Sequence, residues 1–220
     1  MIVAETSAVA MQTHGNDVLS RSDRRRLCIV EVAGQMFLED GYAATSMSAI
    51  AARLGGSKAT LYSYFTSKEA LFVAYMHHAC AGLVADVFGF SYASDDVTDT
   101  LTVFAKRYIT LILSKPAIAI FRLVVAEAGR FPELGKAFYE AGPRQGIVKL
   151  GAILEQHMHA GRLKIMDPTL AAWQFIGLFQ WTIDRVRLFI VTSDITDTEI
   201  NVAVEAAVKT FLHGLGVGAS

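Results

Sequence analysis

The sequence contains little of what marks secreted, disulfide-stabilised or membrane-spanning proteins. Only two cysteines occur in its 220 residues, and they form neither a CxxC pair nor a disulfide framework. Its apolar runs stay short of the roughly 18–20 residues that a membrane-spanning helix needs, and the longest, residues 117–128, is interrupted by Arg122. The first residues also lack the basic start and apolar core of a secretory signal. We therefore expect a cytoplasmic protein that enters no membrane.

Motifs of catalysis and cofactor binding are missing as well. No HExxH, GxSxG, P-loop or GxGxxG pattern is present. The adjacent His77 and His78 point to different sides of a helix, as do His157 and His159, so neither pair is expected to close on one metal ion. We predict that the protein is not an enzyme and uses no metal and no cofactor.

Charge is scarce and unevenly distributed. The net charge is −1, but residues 21–68 hold seven basic and four acidic side chains, a net of +3, and the rest of the chain has a net of −4. A basic end on an otherwise acidic chain indicates an anionic partner such as nucleic acid. The run Arg24–Arg26 at this end either reaches phosphates or forms an ordinary solvated helix start, and both interpretations remain open.

The abundant class is the apolar one. Hydrophobic residues make up 53% of the chain, and the mean hydropathy is +0.38. Because no membrane span is expected, this content predicts burial between subunits. The last two helices, 168–190 and 197–213, carry more apolar residues than one helix face needs, and we predict that they pair with a second copy to form a homodimer.

Residues 45–68, TSMSAIAARLGGSKATLYSYFTSK, form the most specific pattern in the chain. Apolar residues at the spacing of one buried helix face predict a short helix, capped by Thr45 or Ser46 and ended by Gly55-Gly56. Ser57 is then a suitable cap for a second helix, which Leu61 and Phe65, four residues apart, are expected to anchor to the core. A helix, a glycine-containing turn and a second helix make up a helix-turn-helix, whose second helix enters a DNA groove.

The second helix has a polar face that packing does not require. That face carries Lys58, Ala59, Thr60, Tyr62 and Tyr64. A lysine and several hydroxyls suit phosphate oxygens, and a small methyl group suits the methyl of thymine. The sequence therefore predicts double-stranded DNA as a partner, although a small helical hairpin with a solvated polar face would show the same two helices.

The ordered string Gly41-Tyr42, Thr45-Ser46, Ile50-Ala51, Ser57-Lys58, Thr60-Leu61-Tyr62, Tyr64-Phe65, Ser67-Lys68-Glu69 is more specific. From about Arg24 to Leu71 the chain resembles the TetR family of bacterial transcriptional regulators. The resemblance implies DNA contacts, mostly with phosphate, at Ser57, Lys58, Thr60, Tyr62, Tyr64 and Lys68, and a DNA-backbone contact at Thr45 or Ser46. Gly56 stands where the family usually has Val. Ala59 stands where Gly is common, so the family pattern does not give the base preference at Ala59.

The remainder of the chain predicts helices only. A first helix is expected over Asp23–Asp40, with a buried stripe of Ile29, Val30, Ala33, Met36 and Phe37. A capping box of Thr66 and Glu69 is expected to open a helix that reaches about Phe88. Further helices are predicted over 97–113, 116–129, 132–161, 168–190 and 197–213, the third of these broken at Pro143. First-turn positions are predicted for Pro116, Pro132 and Pro168, the last behind Asp167 as the N-cap. The fold class is thus all-α, with an N-terminal three-helix DNA-binding domain and a C-terminal helical ligand-binding and dimerisation domain.

The predicted division is a flexible extension over 1–20, a DNA-binding domain over 21–70, and an effector-binding and dimerisation domain over 71–220. The run Phe121–Pro143, FRLVVAEAGRFPELGKAFYEAGP, is similar to the C-terminal domain of an AefR-like subgroup of the TetR family. That similarity covers much of residues 116–190. It implies a domain that senses a ligand and dimerises.

Aromatic residues of this C-terminal region are the candidates for lining a pocket. The aromatic residues that could line it are Phe104, Tyr108, Phe121, Phe138, Trp173, Phe175, Phe179 and Trp181, and at helical spacing the same residues could equally form a filled core. Of these, we select Phe104, Tyr108, Phe121, Trp173 and Phe179 as the ligand-binding candidates. Arg122 is the polar candidate: it either faces the interior, where it would need an acidic partner or a ligand, or lies on an exposed face.

The sequence predicts a TetR-type repressor that binds a palindromic operator as a homodimer and is released by a small apolar or amphipathic effector. The alternative is a helical small-molecule-binding or catalytic protein without a DNA role.

Overall fold

The computed structural model describes residues 20–89, 92, 94–189 and 195–215, and about 80% of the chain is helical. The predicted extension over 1–20 lies almost wholly outside these residues. No strand is present in the described part. The helices are α1 Arg21–Asp40, α2 Met47–Arg53, α3 Lys58–Tyr64, α4 Lys68–Phe88, α5 Val97–Ile112, α6 Lys115–Glu127, α7 Pro132–Ala141, α8 Pro143–His159, α9 Pro168–Phe189 and α10 Asp197–Leu215. The prediction of an all-α fold is confirmed.

Proline and capping residues begin these helices where the sequence predicts. Pro116, Pro132 and Pro168 occupy first-turn positions of α6, α7 and α9, where a missing N–H removes no intrahelical hydrogen bond. Asp167 caps α9 by accepting the Leu170 N–H at 2.8 Å. The chain breaks between α7 and α8 at Pro143.

The predicted capping box at the start of α4 is wrong by one residue. The N-cap is Ser67 and not Thr66, because the Ser67 hydroxyl accepts the Ala70 N–H at 3.1 Å. Glu69 is then the second helical residue instead of the third. Its side-chain hydrogen bond with Ser67 is the main cause that lowers the pKa of its carboxyl. The carboxylate also lies in the first turn of the helix, where the helix dipole stabilises negative charge.

Two apolar clusters organise the molecule. The first joins α1–α3 to the first half of α4 and to α6 and α7, and it includes the buried stripe predicted on α1. The second joins α5, α8, α9 and α10. Because the first cluster includes Ile120, Val124 and Leu134, packing is continuous from the N-terminal helices into the C-terminal part. The boundary at residue 70 stays a prediction, and this cluster spans it.

The last helix does not present the apolar surface that the sequence predicts. The side chains of Val204, Ala207, Val208 and Phe211 are buried, and α10 packs on α5 and α9 of its own subunit. These residues therefore belong to the subunit core, because their burial needs no second copy. An arginine at Val208 is accordingly expected to unfold the subunit and not only to separate a dimer.

Length and apolar composition alone would allow α4 to cross a membrane, and α5 with α6 would also qualify as a pair bent by 67°. In α4 the residues Leu71, Phe72 and Met76 are buried in the first cluster. The core helix of a folded domain can have the same length and composition.

Candidate functional site

The turn between α2 and α3 has the geometry that its glycines predict. Gly55 has φ 63°, a left-handed conformation that a side chain rarely adopts. Ser46 caps α2 by accepting the Ala49 N–H, and Ser57 caps α3 by accepting the Thr60 N–H at 3.0 Å. Both hydroxyl caps are exposed, so each helix begins at the surface with a polar group outward.

One side of α3 is buried and the other is open. Leu61 and the following Phe65 are buried and anchor the helix, as predicted. The residues left exposed are Ser57, Lys58, Ala59, Thr60 and Tyr62, with Tyr64 half-buried at the edge. The Lys58 ammonium lies 5.8 Å from the centre of the Tyr62 ring. These six predicted DNA contacts thus share one accessible surface.

Basic side chains from the start of α1 lie next to this surface. Arg21, Arg24 and Arg25 line one shallow depression together with Thr60 and Tyr64 of α3. The third member of the arginine run differs, since the Arg26 guanidinium stacks 4.7 Å above the Phe65 ring. Of the two open interpretations, the depression favours phosphate contact for Arg24 and Arg25 and a packing role for Arg26.

Two of the side chains predicted to contact DNA instead make hydrogen bonds within the protein. The Thr45 side chain is 2% exposed, and its hydroxyl donates to the carbonyls of Met36 and Gly41 at 3.2 and 2.8 Å. Burial removes this hydroxyl from any surface, so Thr45 is corrected to a structural residue. Ser46 is the exposed member of the pair.

Lys68 is the second predicted DNA contact whose side chain makes hydrogen bonds within the protein. Its ammonium donates to the carbonyl oxygens of Tyr42 and Thr45 at 2.8 and 2.9 Å and lies 4.2 Å from the Tyr42 ring centre. The half-buried side chain therefore joins the start of α4 to the turn between α1 and α2. We therefore expect this lysine to stabilise the turn, whether or not a phosphate also approaches it.

A cavity of about 370 Å³ lies in the C-terminal part, enclosed by α4, α5, α6, α9 and the junction of α7 and α8. Three of the predicted ligand-binding residues line it, Tyr108, Phe121 and Trp173. Among the residues that the structure describes, the walls are almost wholly apolar, and Gln180 is their one amide side chain. This volume lies within the roughly 300–1,000 Å³ of small-molecule sites.

The other three predicted ligand-binding residues lie elsewhere. Phe104 and Phe179 are buried in the second apolar cluster and are not part of the cavity wall. The ring centres of Phe104 and Phe179 lie 6.2 and 5.5 Å from the ring centre of Phe175, so these two aromatic residues fill the core. Arg122 is exposed and does not border the cavity, which favours the second of its two interpretations.

Sequence reasoning missed the cavity residues that carry no aromatic periodicity. Gly142, Gly146, Gly177 and Phe88 border the cavity and were not predicted, whereas Phe138, one of the predicted aromatic candidates, borders it too. Gly146 of α8, Gly177 of α9 and Gly142 between α7 and α8 leave room where a side chain would project, and such glycines were a usable signal. Cys80 also faces the cavity, and burial raises its pKa to about 11, so its thiol stays protonated at neutral pH.

The cavity wall is connected to the N-terminal helices through α6. This helix contributes Ile120 and Phe121 to the wall. At its far end, the Glu127 carboxylate accepts the N–H of Ala43, in the turn between α1 and α2, at 3.2 Å. Just beyond, the Phe131 ring meets the Tyr42 ring edge-on with centres 5.0 Å apart. One helix therefore contacts both the cavity and the helix-turn-helix unit.

Histidines are not assembled into a metal site in the described residues. His157 is buried while His159 is exposed, so the two rings point to different sides of α8, as their spacing predicts. Burial lowers the pKa of His157, which favours the neutral imidazole.

Sequence profiles match both parts of the chain. The profile described as "Bacterial regulatory proteins, tetR family" matches residues 29–75, and "AefR-like transcriptional repressor, C-terminal domain" matches 99–214. An uncharacterized HTH-type transcriptional regulator of Mycobacterium tuberculosis is 31% identical over 107 residues, 48% of this chain and 53% of that protein. The chain thus spans about half the length of this curated relative. The transcriptional activator FasR of Mycolicibacterium smegmatis is 38% identical over 65 residues, 30% of each chain.

Solved structures extend the similarity to nearly the whole chain. A crystal structure of a TetR-family regulator from Mesorhizobium loti has a TM-score of 0.79 at 28% identity, covering 90% of this chain and 100% of that one. The flavonoid-responsive regulator FrrA has a TM-score of 0.79 at 38% identity, covering 89% and 99%. Members of this family are DNA-binding regulators and not enzymes. With both domains matched and the helix-turn-helix exposed as described, the chain belongs to the TetR family of bacterial transcriptional regulators.

Proposed function

We propose that this regulator is a cytoplasmic, homodimeric repressor that binds a palindromic operator and is released by a small apolar or amphipathic effector. The observation that carries the proposal is the exposed polar face of α3 beside the arginines of α1. The match of residues 99–214 to a repressor domain favours repression over activation.

The dimensions of α3 suit the major groove. Its seven residues span roughly 10 Å at 1.5 Å per residue, and the groove is about 12 Å wide. We assign phosphate contacts to Ser46, Ser57, Lys58 and Thr60, which are exposed near the helix starts, and base-edge contacts to Ala59 and Tyr62. Two copies related by a two-fold axis would read two half-sites about 34–36 Å apart, which is why a palindrome is expected.

A flavonoid is the effector class favoured by the cavity of this chain and by its similarity to one solved regulator. The walls combine aromatic rings with few polar groups, chiefly Tyr108, Trp173 and Gln180. A flat aromatic molecule with a few hydroxyls matches such a surface, because rings stack on rings and hydroxyls pair with the amide or phenol. The flavonoid-responsive regulator FrrA, 38% identical to this chain, supports the same choice.

We infer that α6 transmits effector binding to the DNA-binding helices alongside α4. An effector changes operator affinity only if it binds the DNA-competent arrangement and another arrangement unequally. A shift of Phe121 at the cavity wall moves the same helix whose Glu127 holds Ala43. The continuous helix α4 supplies a second route, since Leu83 and Val87 also border the cavity.

Selection of bound fragments from random genomic DNA tests the proposal. The expected result is enrichment of a palindromic site, bound at nanomolar concentrations and released by a flavonoid such as naringenin. Protein with Lys58→Ala and Thr60→Ala is the control, and it should enrich nothing. Protein that folds normally yet enriches no sequence would favour the alternative, a helical binding protein without a DNA role.

A further inference from the structure

The amide of Gln180, on the cavity wall, is oriented by a neighbour on the same helix. Its side-chain nitrogen donates to the Asp184 carboxylate, with 2.8 Å between Nε2 and Oδ1. The two residues are four apart on α9, a spacing at which side chains of one helix meet. An ionised carboxylate only accepts hydrogen bonds, so the nitrogen of the amide, and not its oxygen, must face Asp184.

The orientation of the amide determines which of its atoms is left for a ligand. The carbonyl oxygen lies on the side of the amide that is turned away from Asp184. Helical side chains lean toward the N-terminus, so Gln180 projects over the preceding turn. That turn contributes Trp173, Ile176 and Gly177 to the cavity wall. Gly177 has no side chain to stand between the amide and a ligand, and a methyl group added there would meet no atom within 4 Å.

The rest of the wall offers nothing that would bind an anion. None of the described residues that line the cavity is a lysine, an arginine or a histidine. A carboxylate entering this surface would lose its hydration without gaining a cationic partner. It would also bring its lone pairs against those of the Gln180 oxygen. A neutral hydroxyl loses less on leaving water, and it can donate a hydrogen bond to that oxygen.

We propose that Gln180 selects the effector as a neutral hydrogen-bond donor, with Asp184 as the positioning residue that orients the amide. The inference rests on the proposed effector function, and it adds which partner supplies the proton of the hydrogen bond. Phenols and alcohols meet this requirement, whereas methyl ethers only accept hydrogen bonds and carboxylates are charged. A site that pairs with a hydroxyl discriminates against an analogue without one, because the polar group of the protein is then left unpaired.

Calorimetry with a matched pair of variants tests the role of Gln180. Gln180→Met replaces the amide by an unbranched side chain of similar length. Gln174→Met makes the same change at an exposed residue of α9 that does not line the cavity. We expect Gln180→Met to bind naringenin about tenfold more weakly than the parent, but to bind flavanone, which lacks hydroxyls, with nearly parental affinity. Gln174→Met should match the parent with both ligands, and circular dichroism checks the helix content of each variant.

Pairs of ligands on the unmutated protein give a measurement that no folding defect can obscure. Naringenin trimethyl ether keeps the ring system but cannot donate, so the parent should bind it about tenfold more weakly than naringenin. Dodecanol should likewise bind about tenfold more tightly than dodecanoate or the methyl ether of dodecanol. The preference for naringenin over its ether should be lost in Gln180→Met. It should fall in Asp184→Asn, because an asparagine can donate to the Gln180 oxygen as well as accept from its nitrogen.

The inference is overturned if Gln180→Met binds naringenin as tightly as the parent, or if dodecanoate binds the parent as tightly as dodecanol. A preference for naringenin over its ether that persists in Gln180→Met would be steric and would also contradict it. An unchanged preference in Asp184→Asn would remove the positioning role. If the parent binds dodecanol but no flavonoid, the proposed effector class fails, whereas the selection of a neutral donor is still decided by dodecanol, its ether and dodecanoate. A parent that binds none of these compounds contradicts both.

Discussion

Lys58 and Lys68 have equivalent roles in the sequence prediction, and replacing each by alanine separates them. The structure leaves the Lys58 ammonium at the exposed start of α3. The Lys68 ammonium instead donates to the carbonyls of Tyr42 and Thr45. Lys58→Ala should therefore change DNA binding alone, whereas Lys68→Ala should weaken the fold of the DNA-binding unit.

The expected magnitudes differ enough to be measured. A hydrogen bond from a charged donor contributes roughly 1.5–3 kcal/mol, and water replaces part of this at a half-buried site, so losing the Lys68 pair should lower the free energy of unfolding by about 2 kcal/mol. An exposed lysine such as Lys58 should change it by less than about 0.5 kcal/mol. On DNA, each lost phosphate contact reduces the log–log salt slope by about 0.9, or about 2 for the two copies of Lys58 in a dimer.

Denaturant unfolding and operator titrations at several salt concentrations measure both quantities. Lys58→Ala should show parental stability with a shallower salt slope, and Lys68→Ala should show lower stability with the parental slope. If Lys68→Ala unfolds like the parent and loses slope as Lys58→Ala does, the two carbonyl contacts are not what this lysine provides. Lys68 would then be a phosphate contact, as the family resemblance implies.

Two further predictions concern packing and coupling. Gly34→Ala should destabilise the protein by about 1–3 kcal/mol in thermal or denaturant unfolding, because the added methyl group would overlap the Tyr75 ring. Gly82→Ala lies on an exposed helix surface, where the methyl group meets no atom within 4 Å, and should stabilise the protein by up to about 1 kcal/mol. Equal effects of the two substitutions would contradict the close approach of α1 and α4. Glu127→Ala removes the acceptor for the Ala43 N–H. The affinity for naringenin in the absence of DNA should stay unchanged, but the naringenin concentration needed to release the operator should rise about fivefold. A fivefold change is equivalent to one hydrogen bond of about 1 kcal/mol. Unchanged release in a fluorescence-anisotropy titration would assign the coupling to α4 alone.

Features decided by neighbouring residues could be predicted from the sequence. Gly55 ends α2, Ser57 caps α3 and Pro143 separates α7 from α8, because each effect depends on the residue's own backbone preference or on a bond three residues away. The buried side of α1 followed from helical periodicity for the same reason. The accessible face of α3 was predictable because the apolar anchors fix which side must point outward.

Roles decided by distant residues could not be predicted in this way. Whether a threonine or lysine faces water depends on what lies opposite, and Thr45 and Lys68 both meet carbonyls of the turn after α1. Likewise, Phe104 and Tyr108 are one helical turn apart on α5, yet Phe104 is a core residue and Tyr108 lines the cavity. Periodicity identifies a buried face, but it does not distinguish a filled interior from a hollow one.

The apolar residues of α9 and α10 show how far burial can be predicted from composition. Their number predicted burial beyond one helix face on both helices, but the number alone does not say whether a subunit's own core or a second copy covers them. In the structure, Val208 and Phe211 of α10 are buried within their own subunit, while Leu170 and Leu178 of α9 remain exposed. The absence of charge over 168–183 is the property that separates the two helices, since α10 carries Glu205 and Lys209 on its exposed side. A helix that only covers its own core keeps charges toward water, and a helix that is also covered from outside does not.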